Sequence, residues 1–316
     1  MPESIRKVNI IGHRNPDTDS ICSALSYAWL KNAIGPQIYE ARRCGNINRE
    51  TAFVLKRWGV EEPALITSVR PQVKDLEYQH QEGIDGEMSL YAAWNKMRDE
   101  RQDTLCITED GDLKGLVTVK DIANANMAIF DTDVLATSHT CYQNVIETLN
   151  GTMVLGDPSD VIEGGRVYVG TSPEMMEDTI EPGDIVLVTN RYETQHYAVG
   201  SGAACLIICC DAPVTRALKS SAESHGCKII TTPYDTYAAT RLICMSMPVR
   251  AVMLDSGIVE FSVNTTVEDV RKVMSSTRHR FFPVIGEDGK FDGVITSANL
   301  FDINRTHVIL VDHNEM

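Results

Sequence analysis

Two short apolar runs, one near each end of the chain, constrain the fold more than any other feature. Val8-Asn9-Ile10-Ile11 reads as a strand and leads into a helix-like run over residues 20–30. A short strand over 37–41 and a helix over 48–58 follow, the alternation of a parallel βαβα unit. The pattern then stops with too few strands to close a core. The far end of the chain supplies another: Val308-Ile309-Leu310-Val311 is again an apolar strand, and it delivers Asp312 at its C-terminal end. The expectation is an N-terminal α/β domain completed by the last residues, with most of the chain inserted between.

The inserted part contains a repeat. A helix over 89–98, a strand over 104–107, the turn Glu109-Asp110-Gly111-Asp112, a strand over 115–119 and a helix over 121–126 form one unit. A helix over 267–274, a strand over 282–285, the turn Glu287-Asp288-Gly289-Lys290, a strand over 293–296 and a helix from Asn299 form the other. Both carry Gly, two apolar residues and Thr after the turn: Gly115-Leu116-Val117-Thr118 and Gly293-Val294-Ile295-Thr296. Between them lies a third α/β unit. It has strands over 165–169, 184–189, 204–209 and 228–231, helices over 214–224 and 234–245, and a turn at Glu181-Pro182-Gly183. His196 and His225 in this unit are not spaced as a ligand set and read as ordinary polar positions.

A chain of 316 residues, 43% hydrophobic and 23% charged, is too long for one typical core. The net charge of -15 opposes sequence-independent binding to nucleic acid, which needs Lys and Arg against phosphates. No apolar run has the length of a membrane span, and the N-terminus enters a strand without the apolar core of a signal peptide. The nine cysteines are odd in number and contain no Cys-x-x-Cys pair; Cys205, Cys209 and Cys210 lie in or beside an apolar strand. They read as reduced thiols of a cytoplasmic protein.

The chemistry concentrates in Gly12-His13-Arg14-Asn15-Pro16-Asp17-Thr18-Asp19-Ser20, on the turn between the first strand and the first helix. One imidazole and two carboxylates, with no thiolate, suit octahedral Mn²⁺, Mg²⁺ or Co²⁺ better than tetrahedral structural Zn²⁺. The helix start beside them favours an anion such as phosphate. Asp17 also reads as a plain N-cap with a favourable first turn after it. In open α/β sheets, sites form beyond the carboxyl ends of the strands, so Asp312 on a neighbouring strand would face His13, Asp17 and Asp19.

The turn resembles the first motif of the DHH phosphoesterase superfamily, and the Asp17-Thr18-Asp19-Ser20 version with Ile21-Cys22-Ser23-Ala24 after it is similar to family II, manganese-dependent inorganic pyrophosphatases. Val311-Asp312-His313-Asn314-Glu315 resembles the second motif of that family. The insertion resembles two CBS modules flanking a DRTGG domain, the mark of the nucleotide-regulated subclass. The resemblance covers essentially the whole chain and implies this organisation: an incomplete parallel-sheet DHH domain (1–68 and 305–316), CBS modules (69–126 and 246–304) and an α/β DRTGG domain (127–245).

It implies that His13 and Asp17 ligate one metal ion, that Asp19 ligates a second and that catalytic Asp312 bridges both, with in-line hydrolysis of pyrophosphate to two orthophosphates. The Asp-His-His motif, a further Asp ligand and a C-terminal domain with substrate-binding Arg and Lys are not in this sequence, so little or no activity is expected of this chain alone. For the CBS pair it implies adenine-nucleotide contacts from Thr118 and Asp121, from Thr296 and Asn299, and from Arg278, His279 and Arg280, where His279 would stack on adenine. AMP or ADP would inhibit and ATP or diadenosine polyphosphates would activate. The pair would join two chains into a homodimer. Two other readings stand beside this one: a DHH phosphodiesterase acting on cyclic dinucleotides or short oligonucleotides, and an adenine-nucleotide sensor without catalysis.

Overall fold

The computed structural model describes residues 7–36, 38–66, 69–127, 132–301 and 307–311. They fall into two compact units. One comprises Met1–Gln81, Val259–Asp288 and Asp292–Met316; the other comprises Glu82–Ile258 and Gly289–Phe291.

In the first unit, β1 (Lys7–Ile11) alternates buried Val8 and Ile10 with half-buried Asn9 and Ile11, the period of a strand with one face in a core. The helix α1 (Thr18–Ile34) begins where the Asp17 carboxylate caps it and ends where Gly35 donates back to Lys31 O at 3.0 Å. It is longer at both ends than the expected 20–30, because nothing breaks it before Gly35-Pro36. Ala24 and Ala28, one turn apart, let it lie close against Val8 and Ile10. The strand β2 (Ile38–Arg43), the helix α2 (Arg49–Trp58) and the two-residue strand β3 (Ala64–Leu65) follow. The return strand His307–Leu310 completes this sheet as expected. The order is return strand, β1, β2, β3, all parallel, and Ile11 pairs with Leu310.

The same unit holds the second repeat. Strands Phe261–Ser262, Phe282–Ile285 and Phe291–Ile295 are extended by Gln79–His80, which precedes the first repeat in the chain. The lead-in is part of the core: Val73 is fully buried and Leu76 nearly so, packed with Phe282, Val284 and Ile295. Its backbone is held by Val73 N to Thr265 O at 3.0 Å and Lys74 N to Val263 O at 3.0 Å. The helix expected from Asn299 is a 3-10 turn, Ser297–Leu300, closed by Asn299 N to Thr296 O at 3.2 Å.

The second unit holds the first repeat and the third unit of the sequence reading. Helix Leu90–Glu100, hairpin Thr104–Glu109 with Asp112–Thr118, and helix Val119–Met127 form the repeat. The hairpin turns at Asp110 (φ 53) and Gly111 (φ 84), the two left-handed residues that a tight two-residue turn requires. Here too a lead-in is exchanged: Val249 N bonds Met88 O at 2.8 Å, and Leu254 and Leu116 exchange two backbone bonds at 2.9 and 3.0 Å. Beside it stands a five-stranded sheet in the order Thr152–Leu155, Lys228–Thr231, Cys205–Ile208, Ile185–Val188, Val167–Val169. The last four are parallel and the first is antiparallel. Ile185–Val188 and Cys205–Ile208 are buried on every residue, as central parallel strands are. In this unit the His196 ring lies against Tyr192, tilted by 43° with 4.0 Å between ring centroids, and His225 Nδ1 lies 2.8 Å from Ser221 O.

All nine cysteines are free. No helix among the described residues is long and apolar enough to cross a membrane.

Candidate metal turn and nucleotide half-sites

The metal turn is built by close backbone approach. Ser20, 2% exposed, accepts a hydrogen bond from His13 N through Oγ at 3.1 Å. That contact needs Gly12, because a Cβ there would lie 1.7 Å from Ser20 Oγ. Gly45 also backs the turn closely: its Cβ would lie 2.5 Å from Arg14 O and 3.0 Å from Pro16 Cδ. Asp17 Oδ1 accepts from Ser20 N at 2.9 Å, so the carboxylate is an N-cap, and Ile21 N bonds Asp17 O at 3.2 Å. The next residue is held from α2, where fully buried Thr51 places Oγ1 3.0 Å from Thr18 Oγ1. The His13 ring buries Nε2. Burial first, and then the Asp19 charge, push the Cys22 thiol up, which keeps it protonated and puts a hard carboxylate, not a thiolate, at this end of the helix.

His13, Asp17 and Asp19 therefore share one turn, beyond the carboxyl end of β1. Among the described residues no three His, Cys, Asp or Glu side chains converge as a metal-holding group. The resemblance asks less of this turn, two ligands for one ion and one for the other. The donor set fits that demand: an imidazole, carboxylate oxygens and no ionised thiol. Asp312 lies outside the described residues. Val311, the residue before it, donates its N–H to Ile11 O at 2.8 Å.

The two repeats make the same local structure at their Thr-x-x-Asp/Asn positions. Thr118 N and Oγ1 donate to Asp121 Oδ2 at 2.9 and 2.6 Å. Thr296 N and Oγ1 donate to Asn299 Oδ1 at 2.7 and 3.0 Å. Each pair closes a turn and holds its carboxylate or amide in one orientation. The Thr118–Asp121 pair belongs to the second unit and the Thr296–Asn299 pair to the first. Arg278, His279 and Arg280 are exposed in the loop before strand Phe282–Ile285, and the His279 ring meets Phe282 edge-on at 6.4 Å.

Sequence reasoning missed one contact. Asn299 Nδ2 donates to Glu77 O at 2.9 Å, across 222 residues of chain. The available signal was the change from Asp121 to Asn299 at equivalent repeat positions, since only an amide can donate.

The DRTGG domain model matches residues 144–246, and the CBS domain model matches residues 83–128 and 249–305. The "Cobalt-dependent inorganic pyrophosphatase" of Clostridium perfringens is 34% identical over 310 residues, covering 98% of this chain and 56% of that protein. A "Probable manganese-dependent inorganic pyrophosphatase" of Thermotoga maritima is 28% identical over 316 residues, covering 99% of this chain and 58% of that protein. The chain thus spans little more than half the length of these curated relatives. The crystal structure of the CBS and DRTGG domains of the regulatory region of Clostridium perfringens pyrophosphatase, complexed with the activator diadenosine tetraphosphate, superposes with a TM-score of 0.66 at 32% identity, over 71% of this chain and 99% of that one. With the DRTGG segment between two CBS segments, and with relatives matched from the metal turn to the return strand, the chain belongs to the family II inorganic pyrophosphatases that carry a CBS and DRTGG regulatory insert.

Proposed function

We propose that this chain is the metal-turn and regulatory portion of an enzyme that hydrolyses inorganic pyrophosphate to two orthophosphates under control of adenine nucleotides. One observation carries the reading: the return strand His307–Leu310, which precedes Asp312 in the chain, pairs in parallel with β1, the strand that leads into His13, Asp17 and Asp19. His13 and Asp17 would hold one ion, Asp19 a second, and Asp312 both. Two divalent ions supply charge neutralisation on the phosphoryl oxygens and an acidified water. The chain's own part is positioning: Gly12 and Ser20 hold the His13 backbone, and the Asp17 cap fixes the first turn of α1. Mn²⁺ or Co²⁺ are the favoured ions, from the names of the relatives and the imidazole–carboxylate donor set.

The regulatory half of the reading is AMP, ADP or ATP at Thr118, Asp121, Thr296, Asn299 and the basic loop 278–280. A homodimer formed through the CBS modules and a cytoplasmic location complete it. The domain limits are 1–68 and 305–316 for the DHH part, 69–126 and 246–304 for the CBS modules and 127–245 for the DRTGG domain.

The test joins this chain to the C-terminal remainder of the Clostridium perfringens relative. Phosphate release from pyrophosphate is measured with millimolar Mn²⁺ or Co²⁺, with and without AMP. Release that depends on His13 and changes with AMP is expected. A folded, metal-binding chimera that leaves pyrophosphate intact and cleaves cyclic dinucleotides overturns the reading in favour of a phosphodiesterase. One that binds AMP and cleaves neither leaves a nucleotide sensor.

A further inference from the structure

The segment that runs from the end of β2 into α2 stands behind the metal turn and touches it at two places. Gly45 approaches Arg14 O and Pro16 so closely that no Cβ fits between them. Asn48 caps α2 by accepting from Thr51 N at 2.7 Å, and the Thr51 hydroxyl meets that of Thr18 at 3.0 Å. The residues touched, Arg14, Pro16 and Thr18, alternate along the chain with the ligating positions His13, Asp17 and Asp19. A shift of this segment is therefore a shift of the backbone that carries the ligands.

One side chain decides where the segment lies. Arg43, the last residue of β2, has 18% of its side chain exposed. Its Nη1 donates to Gly45 O at 2.9 Å and its Nε to Pro63 O at 3.0 Å, and Glu62 Oε1 lies 2.7 Å from Nε. Its own carbonyl accepts from Ile66 N at 2.8 Å, just past β3. The guanidinium thus ties the chain behind the metal turn to the residues that lead into β3. It serves two carbonyls and a carboxylate from one planar group with donors at fixed angles. A lysine ammonium is a single point on a flexible stem and does not reproduce that fork.

We propose that Arg43 is a positioning residue for the metal turn: through Gly45 it fixes residues 14–16, and with them the placement of His13 relative to Asp17. The effect on metal rests on the reading of this turn as a metal site; the brace itself does not.

The test compares the full chain with Arg43→Lys, Arg43→Ala and Glu62→Gln. Mn²⁺ affinity is read from the free-ion EPR signal. Amide exchange is followed at His13, Ser20 and Ile21, whose N–H groups close the turn, and at Ala24–Ala28 of α1, which report an intact fold. Charge and position predict opposite signs. On charge alone, removing a cation leaves Mn²⁺ binding unchanged or tightens it; removing a brace weakens it. Both Arg43 variants are expected to bind Mn²⁺ about tenfold more weakly, as when a group supporting a ligand is lost. Exchange at His13, Ser20 and Ile21 is expected to rise by about the same factor, with Ala24–Ala28 unchanged. Glu62→Gln keeps both carbonyl bonds and is expected to stay within about threefold of wild type in Mn²⁺ affinity. If Arg43→Ala loses protection at Ala24–Ala28, Arg43→Lys alone decides. The proposal is overturned if Arg43→Lys keeps wild-type Mn²⁺ affinity, if Glu62→Gln weakens it as much as Arg43→Lys does, or if exchange at the turn is unchanged. A wild-type chain that binds no Mn²⁺ refutes the metal reading, and exchange at His13, Ser20 and Ile21 still decides the brace.

Discussion

Asp17 has two candidate duties, and a pair of substitutions separates them. As a cap it accepts from Ser20 N through Oδ1 at 2.9 Å, which leaves Oδ2 for a metal. Replacing a capping Asp by Ala costs about 0.5–2 kcal/mol, whereas Asn caps about as well as Asp. By 1.36 kcal/mol per tenfold, Asp17→Ala should speed exchange of the Ser20 amide about 2- to 30-fold, and Asp17→Asn should leave it nearly unchanged. The metal duty behaves differently. An amide carries no charge, and even the loss of a group supporting a ligand costs about 10–100-fold in metal affinity. Both variants should therefore weaken Mn²⁺ binding by at least about tenfold, read from the free-ion EPR signal. Local exchange is the right stability probe, since a chain of two compact units has no single unfolding free energy. Wild-type Mn²⁺ affinity in Asp17→Asn would reduce Asp17 to a helix cap and refute the metal argument at that position.

Gly12→Ala should displace Ser20 Oγ from His13 N, because the new Cβ would start 1.7 Å from it; a loss of about 1–3 kcal/mol is expected, seen as faster amide exchange in β1 and the first turn of α1. Burial alone would push the Asp184 carboxyl up, but hydrogen bonds from Arg166 and from the backbone of Glu181 and Arg166 outweigh it and hold the group below the usual carboxylate range. Its stabilisation is thus complete above the unfolded value near about 3.9 and is lost as pH falls through the lower folded value. Near-UV circular dichroism on acid titration should show this step, and Asp184→Asn should remove it at a cost of about 2–3 kcal/mol. Burial pushes the Cys106 and Cys227 thiols up to about 12 and Cys205 well above its ordinary value, while Cys210 is exposed. Brief alkylation at pH 8 followed by mass mapping should label Cys210 and spare those three.

Runs with a clear period were legible in the chain. The β1 strand, the strand Lys228–Thr231 and the Asp110-Gly111 hairpin fall where apolar alternation and turn chemistry put them. Two-residue strands were not legible. Ala64–Leu65, Gln79–His80 and Phe261–Ser262 are too short to have a period, and tertiary pairing alone makes them strands. The exchange of lead-ins was invisible for the same reason. At the metal turn, residue types and their order pointed to His13, Asp17 and Asp19, but the close packing of Gly12 against Ser20 and of Gly45 against Arg14 joins residues whose nearness no spacing rule encodes. The Asn299–Glu77 bond is a contact of the same kind.

That exchange of lead-ins sets a timetable for biosynthesis. Among the described residues, the long-range hydrogen bonds of residues 73–80 run to residues 263–265 and 292–299, and β1 waits for His307–Leu310 to gain its second neighbour. At about 5–20 residues per second, roughly 10–60 s pass between the emergence of these segments and that of their partners. For that interval the nascent chain carries an unpaired strand edge and the apolar side chains of Val73 and Leu76 without a core. A ribosome that pauses between the two repeats lengthens the exposure directly, so codon choice over residues 130–260 is coupled to the yield of folded protein through topology alone.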